Sequence, residues 1–485
     1  MNRPVRHIAI FAGVLILALL LQATWVQFVR TDELAGHEKN RRVAIASFSQ
    51  PRGNIIVGGE PITGSTATEG SDLKYKRTFK DGEMYAPVTG FFSQGYGSTQ
   101  LESLNNKLLN GTDDRLFLQR TSDMLTGKKP RGGDVVTTID PKAQKAAFEG
   151  LGDKKGAVVA LDPRTGKILA LASTPSYDPS VFAGTSGKDR AAWEALEKDK
   201  DKPTLNRALK EVYPPGSTFK IVTASAALEN GLYSDIDGRT DSPDPWTMPG
   251  TRTVLPNQNP TAPCKDASLN VAMQHSCNNV YGKVSSDLGK QKMKETAERF
   301  GFNNAKVDTP VRAARSTFPD NINTSQTALA GIGQGSLTAT PLQVAMMTAA
   351  IANDGKLMKP YMVEELRGPD LQSIEKYQPE EMSQAVSPEV AKKVQRMMED
   401  TATKGTGKSA LIDGVTVGGK TGTAERGKDQ KNLAWFISYA KTADGSPVAV
   451  AVMIDPDDSV PNDEISGGKL AGPIAKKVMR AVLDK

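Results

Sequence analysis

Val212-Tyr213-Pro214-Pro215-Gly216-Ser217-Thr218-Phe219-Lys220-Ile221-Val222-Thr223-Ala224 is the stretch from which the rest of the 485-residue chain can be read. Pro-Pro-Gly ends any helix before it, and the Ala-rich run from Thr218 to Glu229 has helical spacing and stops at Asn230-Gly231. The pattern predicts that Ser217 opens a helix. Ser217 and Lys220 then share one helix face, within hydrogen-bonding reach of each other. A serine hydroxyl needs a neighbour to take its proton, and a lysine can do so only with a lowered pKa. Burial and the positive end of a helix both push in that direction.

Ser-x-x-Lys alone is weak, because two common residues at one short spacing recur by chance, and a solvated helix start is the plain alternative. Two further motifs follow in fixed order, Ser276-Cys277-Asn278 and Lys420-Thr421-Gly422-Thr423, at 276 − 217 = 59 and 420 − 217 = 203 residues. On its own, Ser276-x-Asn278 would read as a loop turn. In that order and spacing, the set is similar to the penicillin-recognising serine acyltransferases.

Working outward, residues Ile8 to Val29 carry no charge and follow Arg3 and Arg6. At ~1.5 Å per residue such a helix crosses a bilayer core, and the flanking charges predict a cytoplasmic N-terminus with the remainder outside. Leu21-Gln22-Ala23 and Gln22-Ala23-Thr24 are poor cleavage sites, which favours a retained anchor over residues 1–30. From 31 to 132 the chain is polar and Gly-rich, with short apolar pieces at Val43–Phe48, Ile55–Val57 and Tyr85–Phe92, and reads as a β-containing, non-catalytic pedestal. A hundred residues without a paired-acid constellation leave no room for a glycosyltransferase domain. The net charge of +6 is spread out, with no run of five like charges to mark a nucleic-acid arm.

Residues 133–485 read as the catalytic domain. Val135–Ile139 is an expected strand and Asp140-Pro141 opens a helix through Leu151. Gly156–Leu161 and Lys167–Ala172 are expected to pair as a hairpin, as are Leu433–Ala440 and Pro447–Ile454, ahead of an amphipathic helix from Lys469 to Leu483. Strands from both ends then share one sheet, with a helical insert between them that includes a Thr340-capped helix. The expected class is α+β.

Together, Ser217-Thr218-Phe219-Lys220, Ser276-Cys277-Asn278 and Lys420-Thr421-Gly422-Thr423, behind one anchor and a pedestal, resemble the class B penicillin-binding proteins, most closely the actinobacterial members. The resemblance implies the β-lactamase-like transpeptidase fold: an antiparallel sheet flanked by helices plus an all-helical subdomain, after a transmembrane helix and a pedestal or dimerisation domain. It also implies peptidoglycan D,D-transpeptidation on stem peptides ending in D-Ala-D-Ala and acylation by β-lactams. Partners implied are nascent glycan, a membrane glycosyltransferase of the shape, elongation, division and sporulation group, and other wall and division proteins. No cofactor or nucleic acid is implied.

The resemblance assigns Ser217 as nucleophile, Lys220 as base, Ser276 as proton relay and Asn278 as ligand of the acyl-side amide. Lys420, Thr421 and Thr423 would hold the terminal carboxylate, and the backbone N–H groups of Ser217 and Thr423 the oxyanion. Gly422 would let the strand approach substrate. Arg52-Gly53 resembles a pedestal motif of the class, although Val57-Gly58-Gly59 replaces its usual sequel.

His7, His37 and His275 are the only histidines, and none suits a Ser-His-Asp triad, so lysine remains as the base. No cluster has metal-ligand spacing. A D,D-carboxypeptidase, a β-lactamase-like hydrolase and a non-catalytic scaffold are the rival readings. Cys264 and Cys277 are the only cysteines. Either they bridge, pinning the second motif, or Cys277 stays a lone buried thiol; pairing does not follow from sequence.

Overall fold

The structure, a computed structural model, describes residues 3–30, 33–34, 41–69, 72–127, 131–427 and 430–484. Helix α1 (Arg3–Phe28) has no buried residue and matches the expected apolar span. Next come α2 (Arg41–Ser47), β1 (Ile55–Val57), β2 (Glu60–Pro61), α3 (Gly82–Thr89), α4 (Phe117–Thr126) and β3 (Asp134–Thr137). Two of the three apolar pieces in the pedestal are therefore mainly helical. Residues 43–47 lie in α2, where Ala favours helix, and Phe48 after it packs on the Phe92 ring with centroids 4.6 Å apart. Residues 85–89 lie in α3, which stops at Gly90 in a positive-φ conformation (φ 68°).

The pedestal is held by a buried charge cluster. Glu102 accepts from Arg52 Nε at 2.6 Å and from Arg77 Nε at 2.7 Å, and all three residues are buried. Arg52 also donates to Asn106 and Asn110 and lies over the Phe92 ring. The arginine of the pedestal motif is thus an internal brace. Its neighbour Gly53 abuts Gly133 so closely that a Cβ would meet the Gly133 carbonyl oxygen at 1.9 Å.

Strand β3 does not join the catalytic sheet. It pairs in parallel with β1 and antiparallel with Val363–Arg367, the first strand of a hairpin completed by Ser373–Lys376. The resulting five-stranded sheet draws on residues 55–61, 134–137 and 363–376, so it runs across residue 133.

The catalytic core begins with α5 (Pro141–Leu151), whose N-cap Asp140 accepts from the Lys142 and Ala143 amides. Strands β4 (Lys155–Leu161), β5 (Ile168–Thr174), β6 (Thr416–Ala424), β7 (Leu433–Thr442) and β8 (Gly445–Asp455) form one antiparallel sheet in the order β6-β7-β8-β4-β5. Both hairpins expected from the sequence are present. Helices α6 (Lys220–Glu229), α7 (Leu269–His275), α8 (Asn278–Arg299), α9 (Pro341–Ala352) and α10 (Pro388–Lys404) lie between β5 and β6 in sequence, and α11 (Gly472–Leu483) closes the chain. Alternation explains the layers. Val158, Ala160, Val450 and Val452 pack with α5 and α11, whereas Val159, Ala451 and Met453 share the opposite core with α9. Burial on both faces accounts for the continuous apolar runs in β4 and β5.

Candidate active site

Ser217 lies not in the α-helix but in a tight 3₁₀ turn, Gly216–Phe219, that leads into α6 at Lys220. Gly216 takes a positive φ of 56°, and a Cβ there would meet the Thr423 carbonyl oxygen at 2.7 Å. Its amide donates to Gly333 O at 2.9 Å. The turn is thus wedged between β6, the edge strand that carries the third motif, and residues 331–335. Among the described residues no partner engages the Ser217 hydroxyl, which lines a cleft of about 490 Å³.

The second motif sits at a helix junction. Ser276 caps α7 in the left-handed region (φ 59°, ψ 41°), and Asn278 begins α8. The Lys220 amine does not bond Ser217. It donates to Ser276 O at 2.7 Å and Asn278 Oδ1 at 2.7 Å, and lies 3.2 Å from Ser276 Oγ. Lys420 Nζ approaches the same Ser276 hydroxyl from the other side at 2.9 Å and donates to Thr421 O at 2.8 Å. Both lysines are fully buried, and among the described residues neither forms an ion pair.

Electrostatics follow from that burial. Loss of hydration pushes Lys220 well below the usual lysine range, and the neighbouring Lys420 charge pushes it further. Burial brings Lys420 down to about 7. A neutral Lys220 has two N–H groups, which the Ser276 carbonyl and Asn278 Oδ1 can absorb. Its lone pair is then free to accept a proton.

Asn278 is anchored at both ends: Oδ1 accepts from Lys220 and Nδ2 donates to Pro256 O at 2.7 Å, leaving one N–H free. The segment that holds it, 256–264, is bound to the second motif at further points. Asn257 Oδ1 accepts from the Asn278 amide at 2.6 Å, and Asn279 Nδ2 donates to Cys264 O at 2.9 Å. Cys264 and Cys277 are bridged, with Cα atoms 5.6 Å apart. Gln258 on this segment reaches across the cleft to Thr423 Oγ1 at 3.3 Å.

The third motif divides by strand alternation. Lys420 and Gly422 face inward, while Thr421 and Thr423 are half-exposed. Lys420 and Gly422 each make contacts that the sequence did not specify. The Lys420 amine is buried against the Ser276 hydroxyl and the Thr421 carbonyl, behind the half-exposed Thr421 and Thr423. At Gly422 a Cβ would come within 2.9 Å of Thr218 Cγ2 and of Trp435 Cβ, so its absence lets the strand approach the nucleophile turn. Of the histidines, His275 ends α7 and forms none of these contacts, His7 belongs to α1, and His37 lies outside the described residues.

Residues outside the three motifs complete the cleft. With its amide oriented to match, Gln334 both donates to Glu425 O and accepts from Glu425 N at 3.2 Å, clamping the end of β6 to the Gly333 segment. Asn257 and Gln258 form the facing wall. Their only sequence signal was position in irregular stretches beside Pro and Gly.

Comparison with known proteins agrees with this geometry. The penicillin-binding protein transpeptidase domain matches residues 156–480, and the penicillin-binding protein A dimerisation domain matches 52–135. The chain belongs to the penicillin-binding protein transpeptidase family. It is 40% identical to the peptidoglycan D,D-transpeptidase PbpA of Mycolicibacterium smegmatis over 100% of this chain and 99% of that one. Identity is also 40% to PbpA of Mycobacterium tuberculosis, again over 100% and 99%. The solved ceftriaxone acyl-enzyme of penicillin-binding protein A from M. tuberculosis superposes with a TM-score of 0.85 at 39% identity, covering 90% of this chain and all of that one. Membership of this transpeptidase family also accounts for the fold class read from the sequence.

Proposed function

We propose that this chain is a peptidoglycan D,D-transpeptidase whose acyl-enzyme forms on Ser217. Ser217 Oγ attacks the penultimate carbonyl of a stem peptide ending in D-Ala-D-Ala, and its proton passes to the Lys220 lone pair. The backbone N–H groups of Ser217 and Thr423 take up the oxyanion. Ser276, within reach of both lysines, relays the proton to the departing D-Ala amine as the peptide bond breaks. The amine of a neighbouring stem then attacks the ester, its proton returns through Lys220, and Ser217 is regenerated.

Thr421 and Thr423 hold the terminal carboxylate, and Lys420 acts on them from behind as a charge and a brace for Ser276. Asn278 offers its free N–H to the acyl-side amide. β-Lactams acylate the same hydroxyl. The observation that carries the reading is the single Ser276 hydroxyl held between two buried, unpaired lysines beside the Ser217 turn.

In this reading α1 is a single-pass anchor with the N-terminus cytoplasmic, and residues 31–132 are a non-catalytic pedestal or dimerisation module carrying domain 133–485 outside the membrane. Polymerisation of glycan falls to a membrane glycosyltransferase of the shape, elongation, division and sporulation group. The test is to mix full-length protein with a D-Ala-D-Ala thioester and a D-amino acid. Transfer to the amino acid is expected, and predominant hydrolysis would favour a carboxypeptidase or β-lactamase-like role instead.

A further inference from the structure

Strand β6 is an outer strand of the catalytic sheet, so the main-chain groups along its free side are open to pairing with a further extended chain. On the strand period of two, Thr423 and Glu425 turn those groups the same way. At Glu425, one residue past the end of β6, they are already taken. With its amide oriented to match, the Gln334 side chain donates to Glu425 O and accepts from Glu425 N, both at 3.2 Å. A primary carboxamide carries the same donor and acceptor as a peptide unit, so Gln334 sits on this edge as one residue of a neighbouring strand would. It is firmly held there. The Gln334 amide donates to Leu329 O and the Gly333 amide to Ala330 O, each at 2.9 Å, at the end of helix Thr324–Gly331. Gly333 is in turn pressed onto the nucleophile turn, since a Cβ on it would meet Gly216 O at 1.9 Å.

The direction of the acyl donor follows from the proposed acylation. With the terminal carboxylate at Thr421 and Thr423 and the penultimate carbonyl on the Thr423 N–H, the upstream residues of the donor run toward Glu425, antiparallel to β6. In an antiparallel ladder, the next residue able to exchange both hydrogen bonds is the one two before the penultimate residue, directly opposite Glu425. Gln334 occupies that place. We infer that Gln334 is a specificity-determining residue, a pairing stop that confines main-chain recognition of the donor to its penultimate residue and releases the rest of the stem from the strand. The inference rests on the transpeptidase reading of the cleft and adds to it a limit on how much of the stem the strand reads.

The experiment mixes full-length protein with thioester donors that share one carboxylate-bearing leaving group. The donors are acetyl-D-alanyl, acetyl-glycyl-glycyl-D-alanyl and acetyl-sarcosyl-glycyl-D-alanyl thioesters, the last with a methylated nitrogen that cannot donate opposite Glu425. The wild type should be acylated by all of them with kcat/KM values within about twofold, less than one hydrogen bond is worth. In Gln334→Ala the diglycyl donor should exceed the short one by about tenfold, the value of a regained hydrogen-bonded pair, and the sarcosyl donor should lose most of that gain. The ratios between donors are the readout, because loss of the clamp on β6 slows every donor together. Gln334→Met, of similar length but without polar atoms, gives the same comparison if the alanine variant does not fold. A wild type that already prefers the diglycyl to the sarcosyl donor by about tenfold would overturn the inference, as would folded variants that treat the donors alike. If no donor acylates Ser217, the transpeptidase reading itself falls, and the pairing stop with it.

Discussion

The pedestal and the cleft each bury two cations around one shared group, with opposite outcomes. In the pedestal, Arg52 and Arg77 share the Glu102 carboxylate, and Arg52 stays charged because burial brings it down only to about 10. In the cleft, Lys220 and Lys420 share the Ser276 hydroxyl, and burial with no carboxylate to offset it drives both well down. A buried charge with a counter-ion is a brace, whereas a buried charge without one is a proton switch. Residue type matters equally. Arginine holds its proton under almost any burial, whereas lysine gives it up.

The sharpest way to break this contrast is Lys220→Met. Loss of the base should lower acylation by fluorescent penicillin by about 10²–10⁴-fold, as removal of a general base does. The melting temperature should hold or rise, because a desolvated amine has been replaced by an apolar chain. Near-normal labelling would mean that another base acts, with His275 the first to test. Ser217→Ala should abolish labelling altogether with the fold intact.

Glu102→Gln is the converse. It should cost about 3–5 kcal/mol, read as a lower denaturation midpoint, because two arginines are left buried without their counter-ion. The fraction that stays folded should acylate at the normal rate. A variant of normal stability would show that the pedestal cluster is not a brace.

Lys420→Met tests the coupling of the two lysines. Acylation needs neutral Lys220, so its rate should rise with pH through the Lys220 pKa. Lys420 lowers that pKa by repulsion. Removing it should move the acid limb of the pH–rate profile to higher pH, beyond a general drop in rate; an unmoved limb would uncouple the lysines. The smallest effect should come from Thr423→Val, which keeps the backbone donor and removes a hydroxyl. It should raise KM for a D-Ala-D-Ala substrate by about tenfold, the value of one good hydrogen bond, with little change in kcat.

The sequence carried the catalytic core well, because its signals are local: alternation in the strands, the Asp140 and Thr340 caps, and motif residues spaced on single turns or strands. It carried the pedestal poorly. Val43–Phe48 and Tyr85–Phe92 are short apolar runs for which periodicity does not separate strand from helix. The pairing of β3 with residues 363–367 depends on contacts more than two hundred residues apart. Within the site, residue types were legible and directions were not. That Lys420 and Gly422 turn inward, and that Gln334 clamps β6, depends on which side of an edge strand meets the nucleophile turn. Cys264 and Cys277 show the same limit, since only the fold brings their backbones together.

The sheet that runs across residue 133 has a mechanical meaning. Three separated stretches of chain are laced into it, so the 52–135 region and the catalytic core are not joined by a tether alone. Tilting one part against the other would shear several ladders of backbone hydrogen bonds at once, where a linker would simply bend. Residues 55–61 and the catalytic core are therefore held together as one stiff piece by backbone pairing, in the way a tool is riveted to its handle.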